Sequence, residues 1–296
     1  MLIPSRAMPP LFVVLWSTGF ISARYAMPYA EPFAFLATRF AISLGVLLVA
    51  ALVFNRPRLP VRLAVNAMVA GALLHGLNLG FVFWAIHQGF PSGLTSAIVS
   101  LQPLLVAAFA GLLLGEVVMG RQWCGIALGF AGTVLVLLPK LNFADAGAAP
   151  LAIGACVIGL ISVSAGVLWQ KRFVAGADLV WGTTWQYFGA VIVCLFAAVS
   201  FEDFNFDWNV DLVLALLWSV FVLSIGSIFL LNTMIGQGKV SKVSSLFYLV
   251  PAVTAVMAFV LFGEALNGIQ LVGMGVTALG VALATNQASA RRLASR

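Results

Sequence analysis

Within the apolar run 63–86, His75 and Asn78 stand three residues apart, a spacing that puts both side chains on one face of a helix. Ser96, Ser100 and Pro103 in the run 92–115 follow the same rule, as do Ser244, Tyr248 and Pro251 in the run 241–263. Gln102, Ser224 and Asn232 add further hydrogen-bonding groups; Trp16 lies mid-run beside Ser17, Thr18 and Ser22, and Trp169 adjoins Gln170. Polar groups deep in apolar helices face protein or a water-filled path. Trp16, His75, Asn78, Gln102, Trp169, Ser224, Asn232, Ser244 and Tyr248 are therefore the candidate binding residues.

The chemistry this set offers is recognition. Rings can stack on an apolar body, while amides, imidazole and hydroxyls can meet polar ends. Any single serine or threonine can instead bond its own backbone. His75 is the one mid-run group whose ordinary pKa lies near physiological pH, which makes it the candidate proton carrier; a satisfied bond between helices is the alternative. The chain has no H-E-x-x-H, G-x-S-x-G or P-loop. His75 and His87 alone cannot build a metal cluster, and Cys124, Cys156 and Cys194 are dispersed without zinc-ligand spacing. No catalytic residue, metal or cofactor is expected.

The elements that must position these groups follow from composition. The 296 residues are 62% hydrophobic and 8% charged, against about 25% charged in soluble domains, and the mean hydropathy is +1.10. Lipid is the solvent such a chain requires. Ten windows are long enough to span a bilayer as helices: 9–28, 33–54, 63–86, 92–115, 121–138, 151–174, 180–200, 211–236, 241–263 and 268–287. The alternating pattern of a β-barrel is absent, and the first window lacks a cleavage site, so it reads as a span. With both termini cytoplasmic, twelve of the basic residues fall on the inner side and two, Arg24 and Lys140, on the outer, the bias that sets orientation. The net charge of +6 is thereby a matter of topology and implies no nucleic acid. Trp84, Trp123, Trp181, Trp185, Trp208 and Trp218 lie near span ends and read mostly as an interfacial belt. The expected partners are the bilayer and a small molecule, with the chain a monomer.

The windows form two sets of five. "LQPLLVAAFAGLLLGE" (101–116) and "LVPAVTAVMAFVLFGE" (249–264) align without a gap at an offset of 148, with seven of 16 positions identical. Gly120, Gln122, Gly125 and Gly132 recur as Gly268, Gln270, Gly273 and Gly280, and Gln88-Gly89 as Gln237-Gly238 after a one-residue slip. The expected units are 1–145 and 146–296. Because five is odd, the second copy enters the membrane from the opposite side, the inverted repeat of many secondary transporters. Gly125, Gly132, Gly273 and Gly280 let backbones approach closely, which predicts that spans 5 and 10 pack face to face as a scaffold. Pro103 and Pro251 remove helix hydrogen bonds to the carbonyls of Val99 and Phe247 and read as hinges. The polar census places spans 1, 3, 4, 6, 8 and 9 along the path.

A mid-helix proline followed by G-E-x3-G-x-Q-x2-G, present once per half, resembles the EamA family of the drug/metabolite transporter superfamily. Within it the chain is similar to the bacterial aromatic amino-acid exporters of the YddG type. The resemblance implies ten helices around a central cavity in a bacterial inner membrane, with substrate leaving the cytoplasm. No Asp or Glu lies deep in any window, and Arg39 is expected to snorkel or bond carbonyls near the outer face, where it aligns with Gln186, with a gating or anion-attracting role as the alternative. A nearly neutral, aromatic cavity suits a zwitterion, so the expected function is export of aromatic and other neutral amino acids by alternating access. A multidrug exporter of planar cations such as methyl viologen, held by cation–π contacts, is the alternative. An intramembrane enzyme and a nucleotide-sugar carrier fit less well.

Overall fold

The structure is a computed structural model that describes residues 7–114, 120–138, 149–174, 176–228, 230, 250–263 and 267–285. The first half holds α1 (Met8–Ala26), α2 (Pro32–Val53), α3 (Val61–His87), α4 (Ser92–Val99), α5 (Gln102–Leu114) and α6 (Gly120–Leu137). The second holds α7 (Ala149–Phe173), α8 (Leu179–Phe201), α9 (Val210–Ser227), α10 (Val250–Phe262) and α11 (Gly268–Thr285). Among the described residues every element is helical, as a chain that must satisfy its backbone inside lipid requires. α4 and α5 together make one span, so the elements trace the ten expected crossings.

Local chemistry sets the helix ends. Pro32 opens α2, where its missing N–H is no loss. Asp178 accepts from the Val180 and Trp181 N–H groups at the start of α8, and Asn209 accepts from Leu212 at the start of α9. Gly263 ends α10 with φ +67° while its N–H donates to the Phe259 carbonyl, the left-handed stop that glycine favours. That fits the reading of the glycine–glutamate pair as a termination feature at this end; Gly115 lies outside the described residues.

Helices α2 and α8, counterparts in the two halves, pack along their length and run antiparallel. At one end the Glu202 carboxylate, just past α8, accepts from Phe33 and Ala34 N–H at 3.0 and 2.8 Å, and the Glu31 carboxylate accepts from Asp203 and Asn205 at 3.0 and 2.9 Å. At the other end Arg56, just past α2, pairs with Asp178 at 3.8 Å, and Trp181 Nε1 donates to the Arg56 carbonyl. The start of one helix thus meets the end of its counterpart, which is the inverted arrangement. We call these the acidic and basic ends. Trp181 is 8% exposed and so belongs to this corner, not to an interfacial belt.

Scaffold helices α6 and α11 also lie antiparallel in close contact. A methyl on Gly280 would overlap Gly129 N and come 2.7 Å from Gly125 O; one on Gly273 would come 2.8 Å from Gly132 O. The four glycines singled out in the sequence do face each other, and Gly129 joins them. A second tight crossing had no sequence expectation: a methyl on Gly71 would overlap the Gln186 backbone, and one on Gly189 the Met68 backbone. It brings α3 against α8. Large side chains such as Phe196 and Val260 are 71% and 72% exposed, as lipid-facing positions should be.

Two departures from α-helix sit at related places. Ala72–Leu77 inside α3 and Trp218–Ser227 inside α9 are π-helical, a wider winding that recurs at functional sites. Applying the slip that aligns Gln88 with Gln237 matches His75 to Ser224, and each lies in its own π segment. The proline-bearing span breaks at Ser100 and Leu101, between α4 and α5. Pro103 therefore occupies the first turn of α5 and interrupts no ladder in its own segment. Pro251 lies in α10; Phe247 and the residues just before Val250 lie outside the described residues.

Candidate functional site

Between the halves lies a cavity of about 320 Å³, near the lower end of the range for small-molecule sites. It runs from Trp16, Val99 and Ser224 at mid-span to Ala177 and Asp178 at the basic end. At the acidic end α2 and α8 are tied by the paired Glu31 and Glu202 clasps and by Asp207 N–H donating to the Tyr29 carbonyl at 2.8 Å.

Of the sequence candidates, Trp16, His75, Asn78, Gln102 and Ser224 all line this cavity, as does Pro103. His75 and Asn78 do share a face, across the π turn. Trp169 does not line it: its ring packs on Phe173 at 4.6 Å between centroids, and its neighbour Gln170 faces the cavity instead. Asn232, Ser244 and Tyr248 lie outside the described residues. Several membrane serines took the local option, with Ser17, Ser96 and Ser164 bonding the carbonyls of Val13, Gly93 and Leu160.

Three expectations are corrected. Spans 2 and 7 line the path too, through Arg39 and Phe40 from α2 and through Thr183, Gln186 and Tyr187 from α8. Counting polar residues cannot show which side of a mostly apolar helix faces inward. Arg39 does not snorkel to the surface. It is 6% exposed, its Nε–H donates to Ser224 Oγ at 3.0 Å, and its guanidinium lies 5.4 Å from the Phe40 ring centroid. The α3–α8 crossing and the antiparallel α2 hold its stem inside the bundle, so its charge faces the cavity. The cavity is consequently cationic at its centre, not neutral.

Around Arg39 the walls are aromatic. Phe40 stacks on Tyr187 at 5.5 Å, and the His75 ring lies 5.2 Å from Tyr187 and 6.0 Å from Phe40. Tyr187 donates its hydroxyl to the Ser224 carbonyl at 2.7 Å, filling an acceptor in the π segment of α9. His75 Nε2 and Asn78 Oδ1 are buried with no hydrogen-bond partner among the described residues. Buried polar atoms are rarely left so, and both belong to residues lining the cavity. Arg39 aligns with Gln186 and His75 with Ser224, so the polar centre consists of two pseudo-symmetric pairs, one partner from each half. Tyr187, the residue with no sequence expectation, sits beside Gln186, and the Arg39–Gln186 alignment was the signal that pointed there. No cluster of metal-ligating side chains occurs among the described residues.

The model of the EamA-like transporter family matches residues 11–138 and again 150–286. The chain belongs to that family. Relatives of this EamA-like transporter along most of its length include the uncharacterized transporter YvbV of Bacillus subtilis, 27% identical over 96% of this chain and 92% of that protein. The uncharacterized inner membrane transporter YedA of Escherichia coli is 26% identical over 95% and 92%. A probable amino-acid metabolite efflux pump of Escherichia coli is 24% identical over 89% and 88%. A crystal structure with TM-score 0.64 and 20% identity, covering 96% of this chain and 98% of its own, shares the fold.

Proposed function

We propose that this EamA-like transporter exports small amino acids, aromatic and neutral ones foremost, from a bacterial cytoplasm. The observation that carries the reading is the composition of the cavity. Aromatic rings enclose one region, while neutral hydrogen-bonding groups and one guanidinium converge at its centre. Such a lining matches a compact molecule with an apolar body and a polar, carboxylate-bearing head. The similarity to an amino-acid metabolite efflux pump points the same way. The basic end corresponds to the cytoplasm by the positive-inside bias. Substrate then enters from that end, and the two halves exchange conformations to open the acidic end.

The planar-cation alternative is weakened by Arg39, a fixed positive charge with no acidic residue deep in any expected span to offset it. Counterflow in proteoliposomes tests the proposal. Vesicles loaded with unlabelled phenylalanine, tryptophan or threonine should take up labelled phenylalanine, and His75→Ala and Asn78→Ala should weaken uptake several-fold. Exchange of labelled methyl viologen with no exchange of any amino acid would overturn it.

A further inference from the structure

We propose that Arg39 is the anchor for the substrate's carboxylate, and that the site therefore takes aromatic monocarboxylates whether or not they carry an α-ammonium group. This rests on the reading of the cavity as the transport site and adds which end of the molecule the site demands.

An arginine inside a bilayer faces a cavity or a partner and marks a pathway. Here no ion-pair partner occurs among the described residues. All nine acidic residues of the chain lie outside the expected spans or at their margins, none of them mid-membrane. Among the described residues the guanidinium makes one hydrogen bond, from Nε to Ser224, which leaves both Nη groups without a protein acceptor. Those two groups form the fork that matches a carboxylate with two parallel hydrogen bonds. Ser224 and the Phe40 ring fix the guanidinium from the other side, so the fork is oriented before any ligand arrives.

The ammonium end has no equivalent. Among the described residues Asp178 is the one carboxylate lining the cavity, and it already accepts from Val180 and Trp181 while pairing with Arg56. It also stands eight residues before Gln186, about 12 Å along α8, at the far end of the cavity from the Arg39 centre. An α-ammonium beside Arg39 would meet only neutral acceptors such as Asn78 Oδ1, and a bare amine would meet the guanidinium's repulsion. Charge complementarity of this kind selects by rejecting the wrong sign as well as by holding the right one.

Thermal stabilisation of the purified full-length protein by millimolar phenylalanine, 3-phenylpropionate and phenethylamine separates the cases, because a ligand of the folded state raises Tm. The two carboxylates should raise Tm and the amine should not. Arg39→Gln should weaken the carboxylate response at least about tenfold, as loss of a charge-assisted pair predicts, and Arg39→Lys should restore part of it. Should Arg39→Gln fail to fold, the three-probe comparison on the wild type decides alone. Stabilisation by phenethylamine equal to that by 3-phenylpropionate overturns the anchor, as does a full response in Arg39→Gln. A response to 3-phenylpropionate without one to phenylalanine supports the anchor and removes the amino-acid reading. No response to either carboxylate overturns the anchor even where counterflow shows amino-acid exchange.

Discussion

Two glycines of α11 offer a controlled test of the scaffold seam. Gly280 presses on the backbone of α6, while Gly275, five residues earlier on the same helix, has nothing within 4 Å of a methyl placed on it. Alanine at Gly280 would put that methyl 2.7 Å from Gly125 O, against 3.4 Å for ordinary contact. The overlap with Gly129 N is tighter still, so the helices must part by about 1 Å, a gap that forfeits about half of each dispersion contact of roughly 0.1–0.2 kcal/mol. Across a seam of two 18-residue helices with some tens of atom pairs in contact, the loss comes to about 1–3 kcal/mol, in line with measured costs of overpacking. Gly275→Ala meets no obstacle and should be neutral or stabilising by about 0.4–1 kcal/mol through the reduced freedom of the unfolded chain. Thermal unfolding of the two variants in the same lipid–detergent micelle is the assay. Equal midpoints for Gly280→Ala and Gly275→Ala would refute close backbone packing of α6 on α11.

Three further outcomes can be checked with similar preparations. Tyr187→Phe keeps the stack on Phe40 but strips the Ser224 carbonyl of its donor; it should cost about 1–2 kcal/mol and lower Tm more than Tyr25→Phe at an exposed position. Glu202, beyond the end of α8, has its carboxyl pushed above the ordinary 4.5, first by burial and then by Glu31, against the opposing pull of the Phe33 and Ala34 N–H groups. The folded state therefore holds this proton more tightly than the unfolded one, so Glu202 contributes stability below pH 4.5 that is lost as pH rises through the folded value. Glu202→Gln should flatten that part of the Tm-against-pH curve, and an unchanged slope would contradict the assignment. Finally, a membrane-permeant maleimide should label the exposed Cys124, near the start of α6, while Cys156 and Cys194 stay unreacted in the folded protein; labelling of all three at one rate would contradict the packing.

Much of the architecture was legible because one physical constraint dominates. A backbone in hydrocarbon must be helical, and a helix that crosses needs a fixed length of apolar sequence. The number of spans, the doubled motif and the odd count of five spans per copy therefore determined ten crossings in two inverted halves. The glycines that recur at matching positions determined the α6–α11 seam, since only close backbones give such spacing a use. His75, Asn78, Gln102, Ser224 and Trp16 were recoverable because polar groups and a mid-span indole stand out in so apolar a chain.

Tertiary structure decided what composition leaves degenerate, namely rotation and depth. Arg39 in an apolar helix has the same sequence signature whether it snorkels outward or turns inward; the antiparallel clamp of α2 on α8 chose the inside. Tyr187 carried no sequence expectation; the Gly71 and Gly189 crossings turn its face of α8 toward α3. Trp169 and Gln170 are neighbours, and one residue of helix, a rotation of about 100° at 3.6 residues per turn, separates a side chain packed on Phe173 from one that lines the cavity. The π segments, too, have no local sequence signal. They follow from two halves wound so that His75 and Ser224, distant in the chain, approach one guanidinium from opposite repeats.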